Sequence, residues 1–304
     1  MSKSNSFNTM LFYNKLTLVV LIALTLFFSC AEGPKRESST VEKQEEKRNT
    51  NLFEIDGKVF SIPSPIQTAF LLKDAGASYS SELLNPTINA ASYETKSKKA
   101  LNLGVFGANL GYATIYDQTQ DAISYMAVTK RISGELGIAD LFDKRMITRF
   151  EANLGDQDSL LALISDAFKS SDQFLKNNKQ NDLSVLILAG GWVETLYFAT
   201  QLTGTTNNQL IRNRIGEQKI TIKNLINLLL PYQSNPDVME LINKLNELKD
   251  LYNDVDFTYT YEAPTTDVEN KVTTINSVSN VNMTDNQLQD IIDQVSAIRT
   301  FIIK

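Results

Sequence analysis

Apolar residues recur at intervals of three and four along most of the chain after about residue 62, and this spacing constrains the fold more than any other feature. This spacing places the apolar residues on one face of an α-helix, so each helix must bury that face against other helices. Ser64 and Pro65 supply a cap and a first-turn proline for the first helix. A long helical pattern follows, with a break near Asp117. We predict helices over about 95–136, 139–153, 158–177, 182–203, 207–230 and 236–252.

The period changes to two between residues 254 and 283, where Phe257, Tyr259 and Tyr261 alternate with threonine and glutamate. Together with the Thr/Val/Ile-rich stretch 272–283, this alternation predicts a β-hairpin. Thr284 and Gln287 then form a capping box ahead of a final helix. The predicted fold class is mainly α: a multi-helix bundle or irregular α-helical array with a small β-hairpin near the C-terminus.

The chain contains no histidine and one cysteine, which removes whole classes of chemistry. A Ser-His-Asp or Cys-His nucleophile, a histidine-ligated zinc site, a thiolate metal cluster and an intrachain disulfide are all excluded. We therefore expect no metal site and no cofactor. The net charge of −6 also argues against nucleic acid as a partner, because phosphate neutralisation needs clustered lysine and arginine.

The first thirty residues have the composition of a secretory leader. Lys3 and Lys15 precede an apolar run over 16–28, which is shorter than the roughly 20 residues of a membrane-spanning helix. The run ends at Phe28-Ser29-Cys30, a small residue before the single cysteine. This resembles the lipobox of bacterial lipoproteins, and the leader looks like that of a Bacteroidota lipoprotein. The match departs from the usual pattern at Phe27, three residues before the cysteine, where leucine is usual. The resemblance implies cleavage before Cys30 and acylation of Cys30. An ordinary cleaved signal with an incidental cysteine is the alternative.

These features divide the chain into three parts. Residues 1–29 are the predicted lipoprotein signal peptide, and residues 30–51 are the lipidated cysteine with a flexible charged tether. Residues 52–304 are expected to form a single mainly helical domain. Lipoproteins that stay in the inner membrane of enteric bacteria have an aspartate directly after the cysteine. This chain has Ala31 at that position, which favours the outer membrane for this cell-envelope protein. Many Bacteroidota lipoproteins reach the cell surface through an acidic motif just after the cysteine, where this chain has only Glu32, so the periplasmic and surface faces both stay open.

The most unusual helical stretch carries glycine and amide residues on opposite sides. Gly104, Gly107 and Gly111 form one stripe, which predicts a close helix–helix crossing, since glycine otherwise costs a helix about 1 kcal/mol per residue. A role for these glycines beyond packing stays open. The opposite stripe is polar, and it either makes hydrogen bonds inside the core or lines a ligand cleft. It consists of Asn102, Asn109, Tyr116 and Gln120.

Glu194 is the one acid or base between Leu183 and Thr200 apart from Tyr197. Glu194, Tyr197 and Gln201 share a helical stripe, so we expect them to join the polar stripe across a shared groove. A buried carboxylate is either paired or has a raised pKa, and the second state suits a general acid. The arginines considered as partners are Arg145, Arg149 and Arg212.

These observations favour a membrane-anchored envelope lipoprotein whose helical domain binds another envelope protein, a peptide or a saccharide, without catalysis. The alternative is a carboxylate-based, glycosidase-like hydrolase, since glycosidases need two carboxylates and no histidine. Glu194 would then be the acid, and Asp117 or Asp121 the second carboxylate. A purely architectural envelope protein is a third possibility. The sequence does not identify the ligand or the oligomeric state.

Overall fold

A computed structural model describes residues 52–55, 58–61, 65–138, 144–206, 208–267, 272–274 and 277–304. The predicted signal peptide, Cys30 and the tether lie outside these residues. The described chain is mainly α, as predicted from the apolar spacing. In chain order the helices are α1 Pro65–Asp74, α2 Lys96–Ile115, α3 Thr119–Glu135, α4 Lys144–Ala152, α5 Gln157–Asn177, α6 Asn181–Thr206, α7 Gln209–Gly216, α8 Gln218–Leu229, α9 Pro236–Leu251 and α10 Asp285–Ile303.

The helix boundaries follow local signals at several predicted places. α2 begins after Thr95, whose side chain accepts a hydrogen bond from the Lys98 amide, and it ends before Asp117, which has a positive φ of 58°. At α10, Thr284 and Gln287 form the predicted capping box. The predicted helix over 207–230 is instead two helices, α7 and α8, which meet at Glu217.

The strands form short antiparallel pairs. In the C-terminal region β3 (Asp256–Thr260) pairs with β6 (Val278–Asn282), and β4 (Thr265–Asp267) pairs with β5 (Val272–Thr274), so the predicted hairpin is present. A further hairpin at the start of the described chain was not predicted. It joins β1 (Leu52–Ile55) to β2 (Lys58–Ser61).

The core is organised around α2 and α6, which cross at van der Waals contact. A Cβ atom on Gly104 would lie 1.9 Å from the carbonyl oxygen of Ile187, and one on Gly190 would lie 1.9 Å from that of Leu101. The backbones can approach this closely because neither residue has a side chain. The predicted close crossing is therefore confirmed at Gly104, whereas Gly107 instead faces the ring of Phe168 on α5.

α6 is the most apolar helix among the described residues. Its segment Asn181–Gly204 is long and apolar enough to cross a membrane by composition, but 83% of its most apolar window is buried within the protein. The helix contacts α2 and α10 along its length, so its apolar residues belong to the protein core. This packing places Glu194 at the centre of the domain.

Candidate functional site

A buried ion pair joins α6 to the C-terminal helix α10. Glu194 has no exposed surface, and Arg299 is 9% exposed. The Arg299 Nε donates to Glu194 Oε2 at 2.7 Å, and its Nη2 donates to Glu194 Oε1 at 3.0 Å. Charge-assisted two-point pairs of this kind are stronger than neutral hydrogen bonds and fix the orientation of the carboxylate.

Asn109 on α2 completes the environment of the carboxylate. Its Nδ2 donates to Glu194 Oε1 at 2.7 Å and to the carbonyl of Val105 at 2.9 Å. Its Oδ1 accepts the backbone N–H of Asn85 at 2.7 Å. One amide therefore links three segments of the fold, and both of its polar atoms are satisfied inside the core.

Asn85 extends the network through the loop that connects α1 to α2. Its Nδ2 lies 3.0 Å from the Tyr93 hydroxyl and 3.4 Å from Asn102 Oδ1, and its carbonyl accepts the Tyr125 hydroxyl at 3.1 Å. Asn85 and Asn102 have no exposed surface. Asn85, Asn102 and Asn109 thus satisfy one another's hydrogen-bonding groups. We refer to these three residues, together with Glu194 and Arg299, as the central polar network.

The central polar network also caps the end of α10. Asn102 Nδ2 donates to the carbonyl of Ile302 at 2.8 Å, and the Tyr93 hydroxyl donates to that of Ile303 at 3.2 Å. The last carbonyls of a helix have no partner within the helix, so these donors meet a need that would otherwise fall to water. Together with the Arg299 side chain, they dock the C-terminal helix onto α2 and α6.

The other predicted residues on α6 also face α10. The Tyr197 ring centroid lies 4.2 Å from Arg299 Cζ, which is a cation–π contact, and Gln201 Nε2 donates to Ser296 Oγ at 3.2 Å. The structure therefore brings Glu194, Tyr197 and Gln201 together along one contact between α6 and α10.

Tyr116 and Gln120 lie apart from this network, because α2 ends before them. The hydroxyl of half-buried Tyr116 donates to the Ala77 carbonyl at 2.8 Å. Gln120 lies on α3, where its side chain is exposed. The break at Asp117 turns the chain, so the stripe expected on one long helix is divided between two.

The two further carboxylates of the hydrolase alternative have partners of their own. Asp117 Oδ2 lies 3.2 Å from Lys73 Nζ, and Lys73 also donates to the Ile115 carbonyl at 2.6 Å. Asp121 Oδ2 accepts the Tyr79 hydroxyl at 2.5 Å. Both acids thus connect the corner between α2 and α3 to α1 and to the segment that follows α1.

Burial sets the protonation behaviour of the ion pair. It raises the pKa of the Glu194 carboxyl, while the charge and hydrogen bonds of Arg299 and the Asn109 amide act in the opposite direction. Burial lowers the pKa of Arg299, but the charge and hydrogen bonds of Glu194, together with Tyr197 and Tyr125, outweigh burial and raise that pKa. Three N–H donors face the two oxygens of Glu194, which favours its ionised form, and guanidinium keeps its proton at any working pH, so the two groups form a charged pair.

A general acid must reach its substrate, and this geometry does not let Glu194 do so. Both carboxylate oxygens are bonded to Arg299, and Oε1 also accepts the Asn109 amide. The described residues contain no group of three or more acidic or cysteine side chains placed to hold a metal ion. What the central polar network can do is fix the relative positions of α2, α6 and α10.

The partner of Glu194 is the main feature that the sequence analysis missed. Arg145, Arg149 and Arg212 were considered, whereas Arg299 forms the bond, and Arg212 instead pairs with Asp285 at 2.8 Å. A signal was present, because Arg299 is a single base on the apolar face of α10, between Val295 and Ile302. Asn85 offered no such signal, since it lies in an irregular loop.

Comparison of the chain with protein-family models, with curated proteins and with solved structures finds no match.

Proposed function

We propose that the protein is a lipid-anchored component of the bacterial cell envelope, attached to the outer membrane through acylated Cys30, and that its helical domain acts by binding. The observation that carries this proposal is the sequence Phe28-Ser29-Cys30 at the end of a thirteen-residue apolar run, over 16–28, in a chain with one cysteine. Several acyl chains on one residue anchor a protein stably, whereas a single chain does not.

The interior geometry supports binding rather than catalysis. The one acid in the core of α6, Glu194, is fully buried and engaged by Arg299 and Asn109. Such a network gives a rigid framework, and a rigid framework lowers the entropy cost of presenting a binding surface. The partner classes are an envelope protein, a peptide or a saccharide.

The anchor is tested by metabolic labelling with radioactive palmitate in a bacterial host, comparing the full chain with Cys30→Ser. We expect label on the wild type and none on the variant, which accumulates as an unprocessed or soluble form. Ser29→Ala is the matched control, because it keeps a small residue before the cysteine and should retain the label. Label on Cys30→Ser, or an unlabelled soluble wild type, would refute the lipoprotein assignment.

Density fractionation of the membranes tests the location. The labelled protein is expected in the outer-membrane fraction, and recovery in the inner-membrane fraction would contradict this part of the proposal. Protease treatment of intact cells then distinguishes the two faces, since a surface-exposed domain is digested and a periplasmic domain is protected.

A further inference from the structure

An open cleft of about 660 Å³ lies between the start of α7 and the β3–β6 hairpin. Its volume falls within the roughly 300–1,000 Å³ that small-ligand sites occupy. Gln209 and Arg212 contribute from α7, and Thr258, Asn280 and Asn282 contribute from the strands. We refer to these five residues as the hairpin cleft.

Three side chains of the hairpin cleft have free hydrogen-bonding groups. Thr258 is the cross-strand partner of Asn280, and Asn282 follows two residues later on the same strand, so all three lie on one face of the hairpin. All three are exposed, and no other described residue engages their side chains. A hydroxyl and two amides offer both donors and acceptors without any charge.

The charges around the hairpin cleft do not suit an anion. Arg212 is its one base, and its Nη1 is bound to Asp285 at 2.8 Å while its Nη2 donates to the Met283 carbonyl at 2.8 Å. Asp256 is the cross-strand partner of Asn282, on the same face, and its side chain is exposed. The guanidinium is thus neutralised, and an unpaired carboxylate lies beside the amides.

The edge of β6 is closed to an added peptide strand. A peptide that extends a sheet must pair with free backbone groups along the edge strand. Here the Val281 amide donates to Asn213 Oδ1 at 3.3 Å, and Arg212 occupies the Met283 carbonyl. Side chains of α7 therefore already occupy edge positions that such a peptide needs.

We propose that the hairpin cleft binds a neutral oligosaccharide, which its amide and hydroxyl groups recognise through the sugar hydroxyls. The inference rests on the proposed envelope binding function and specifies its ligand class and site. Uncharged donors and acceptors on an open surface complement a ligand that has many hydroxyls and no charge.

The test uses the full chain, purified in detergent, on immobilised neutral oligosaccharides (oligomers of glucose, mannose, galactose and N-acetylglucosamine) and on uronate oligomers of equal length. We expect retention of at least one neutral series and no retention of the uronates. Asn280→Ala combined with Asn282→Ala, and separately Gln209→Ala on the opposite wall, should each weaken the binding roughly tenfold or more. Circular dichroism checks that each variant is folded.

Two variants serve as controls. Asn177→Ala removes an exposed amide at the end of α5 and should leave the binding unchanged. Tyr259→Ala changes the face of β3 opposite to Thr258 and should also have little effect. Absence of binding to every neutral series, binding of the uronates alone, or a loss caused by Tyr259→Ala and not by the asparagine variants would overturn the proposal.

A further comparison separates this proposal from the anchor. Cys30→Ser removes the acylation site and leaves the hairpin cleft unchanged, so in detergent it should bind sugars like the wild type. A wild-type chain that carries no acyl label but binds sugars would refute the anchor alone, whereas a labelled wild-type chain that binds no sugar would refute the cleft alone. Capture of extended peptides by the cleft, with no sugar bound, would also overturn the saccharide assignment.

Discussion

At the level of single residues, the Glu194–Arg299 pair shows how a buried charge is tolerated in an apolar core. Removal of a carboxylate from water costs several kcal/mol, and the attraction of a bidentate guanidinium offsets this cost when the remaining lone pairs are also bonded. Asn109 supplies that remaining bond at 2.7 Å. The pair therefore depends on both partners being present.

Removal of one partner of the ion pair should lower the free energy of unfolding much more than replacement of both partners by apolar residues. We expect Arg299→Ala to lower the free energy of unfolding by about 3–5 kcal/mol, because it leaves the Glu194 carboxylate buried without compensation. The double variant Glu194→Leu with Arg299→Met should lose clearly less than Arg299→Ala alone. Urea denaturation measures both.

Arg131→Ala is the control for this comparison, since Arg131 is 47% exposed and lies 4.0 Å from Glu135. Its effect should stay within about 0.5 kcal/mol. If Arg299→Ala were as mild as Arg131→Ala, the ion pair would contribute little to stability in solution.

The two polar residues of the predicted stripe should differ in their effect on stability. Asn109→Ala removes one of the two donors to the buried Glu194 Oε1 and leaves the buried backbone N–H of Asn85 without its acceptor, so we expect a loss of about 2–3 kcal/mol. Tyr116→Phe removes one bond from a half-buried hydroxyl and should cost about 1 kcal/mol. Thermal melts should therefore show a lower melting temperature for Asn109→Ala than for Tyr116→Phe. A negligible loss for Asn109→Ala would mean that its position is adaptable and would favour the groove interpretation.

At the level of helices, the contact between α2 and α6 requires glycine for steric reasons. Gly104→Ala would gain about 1 kcal/mol in an isolated helix. In the protein its Cβ would lie 1.9 Å from the Ile187 carbonyl oxygen, so the two helices would have to separate. We expect a net loss of about 1–3 kcal/mol from overpacking, measured by urea denaturation.

Gly204→Ala is the matched control for this helix contact. Gly204 lies near the end of α6, it is exposed, and nothing lies within 4 Å of its built Cβ. The substitution should stabilise the protein by about 0.5–1 kcal/mol, since only the helix-propensity gain applies. A stabilising Gly104→Ala would show that α2 and α6 can separate without loss.

At the level of the whole molecule, several tyrosine hydroxyls are buried beside acids or in apolar surroundings, which raises their pKa. Burial is the largest cause in each of them, and Asp121 adds to it for Tyr79 and Tyr125. A group that binds its proton more tightly when folded stabilises the protein only while it stays protonated. The hydroxyls with raised pKa are those of Tyr79, Tyr93, Tyr112, Tyr116, Tyr125 and Tyr252.

The stability of the protein should therefore fall at alkaline pH. These tyrosines contribute fully below their unfolded pKa of about 10, and the contribution is lost as the pH rises through their raised folded values. We expect the free energy of unfolding to decrease steadily above about pH 10. The absorbance of the tyrosinates formed by these six residues should then rise in step with unfolding. Titration of all six at about pH 10, in a protein that stays folded, would contradict this prediction.

Prediction succeeded where a structural feature depends on neighbouring residues. The break at Asp117, the start of α9 at Pro236 and the cap at Thr284 each depend on a few consecutive side chains and the backbone groups beside them. The division between α7 and α8 was missed because Glu217 keeps helical φ and ψ values and no proline marks it. There, Gly216 accommodates Val281 of β6 from a distant part of the chain.

Local sequence was sufficient for the helical class, the C-terminal hairpin and the suspicion that Glu194 lies in the core, because periodicity and caps act over one or two turns. The partner of Glu194 could not be obtained in this way. Arg299 lies 105 residues further along the chain, and Asn85 belongs to an irregular loop. Which buried polar groups meet depends on how α2, α6 and α10 cross, and that crossing depends on close packing between residues remote in sequence.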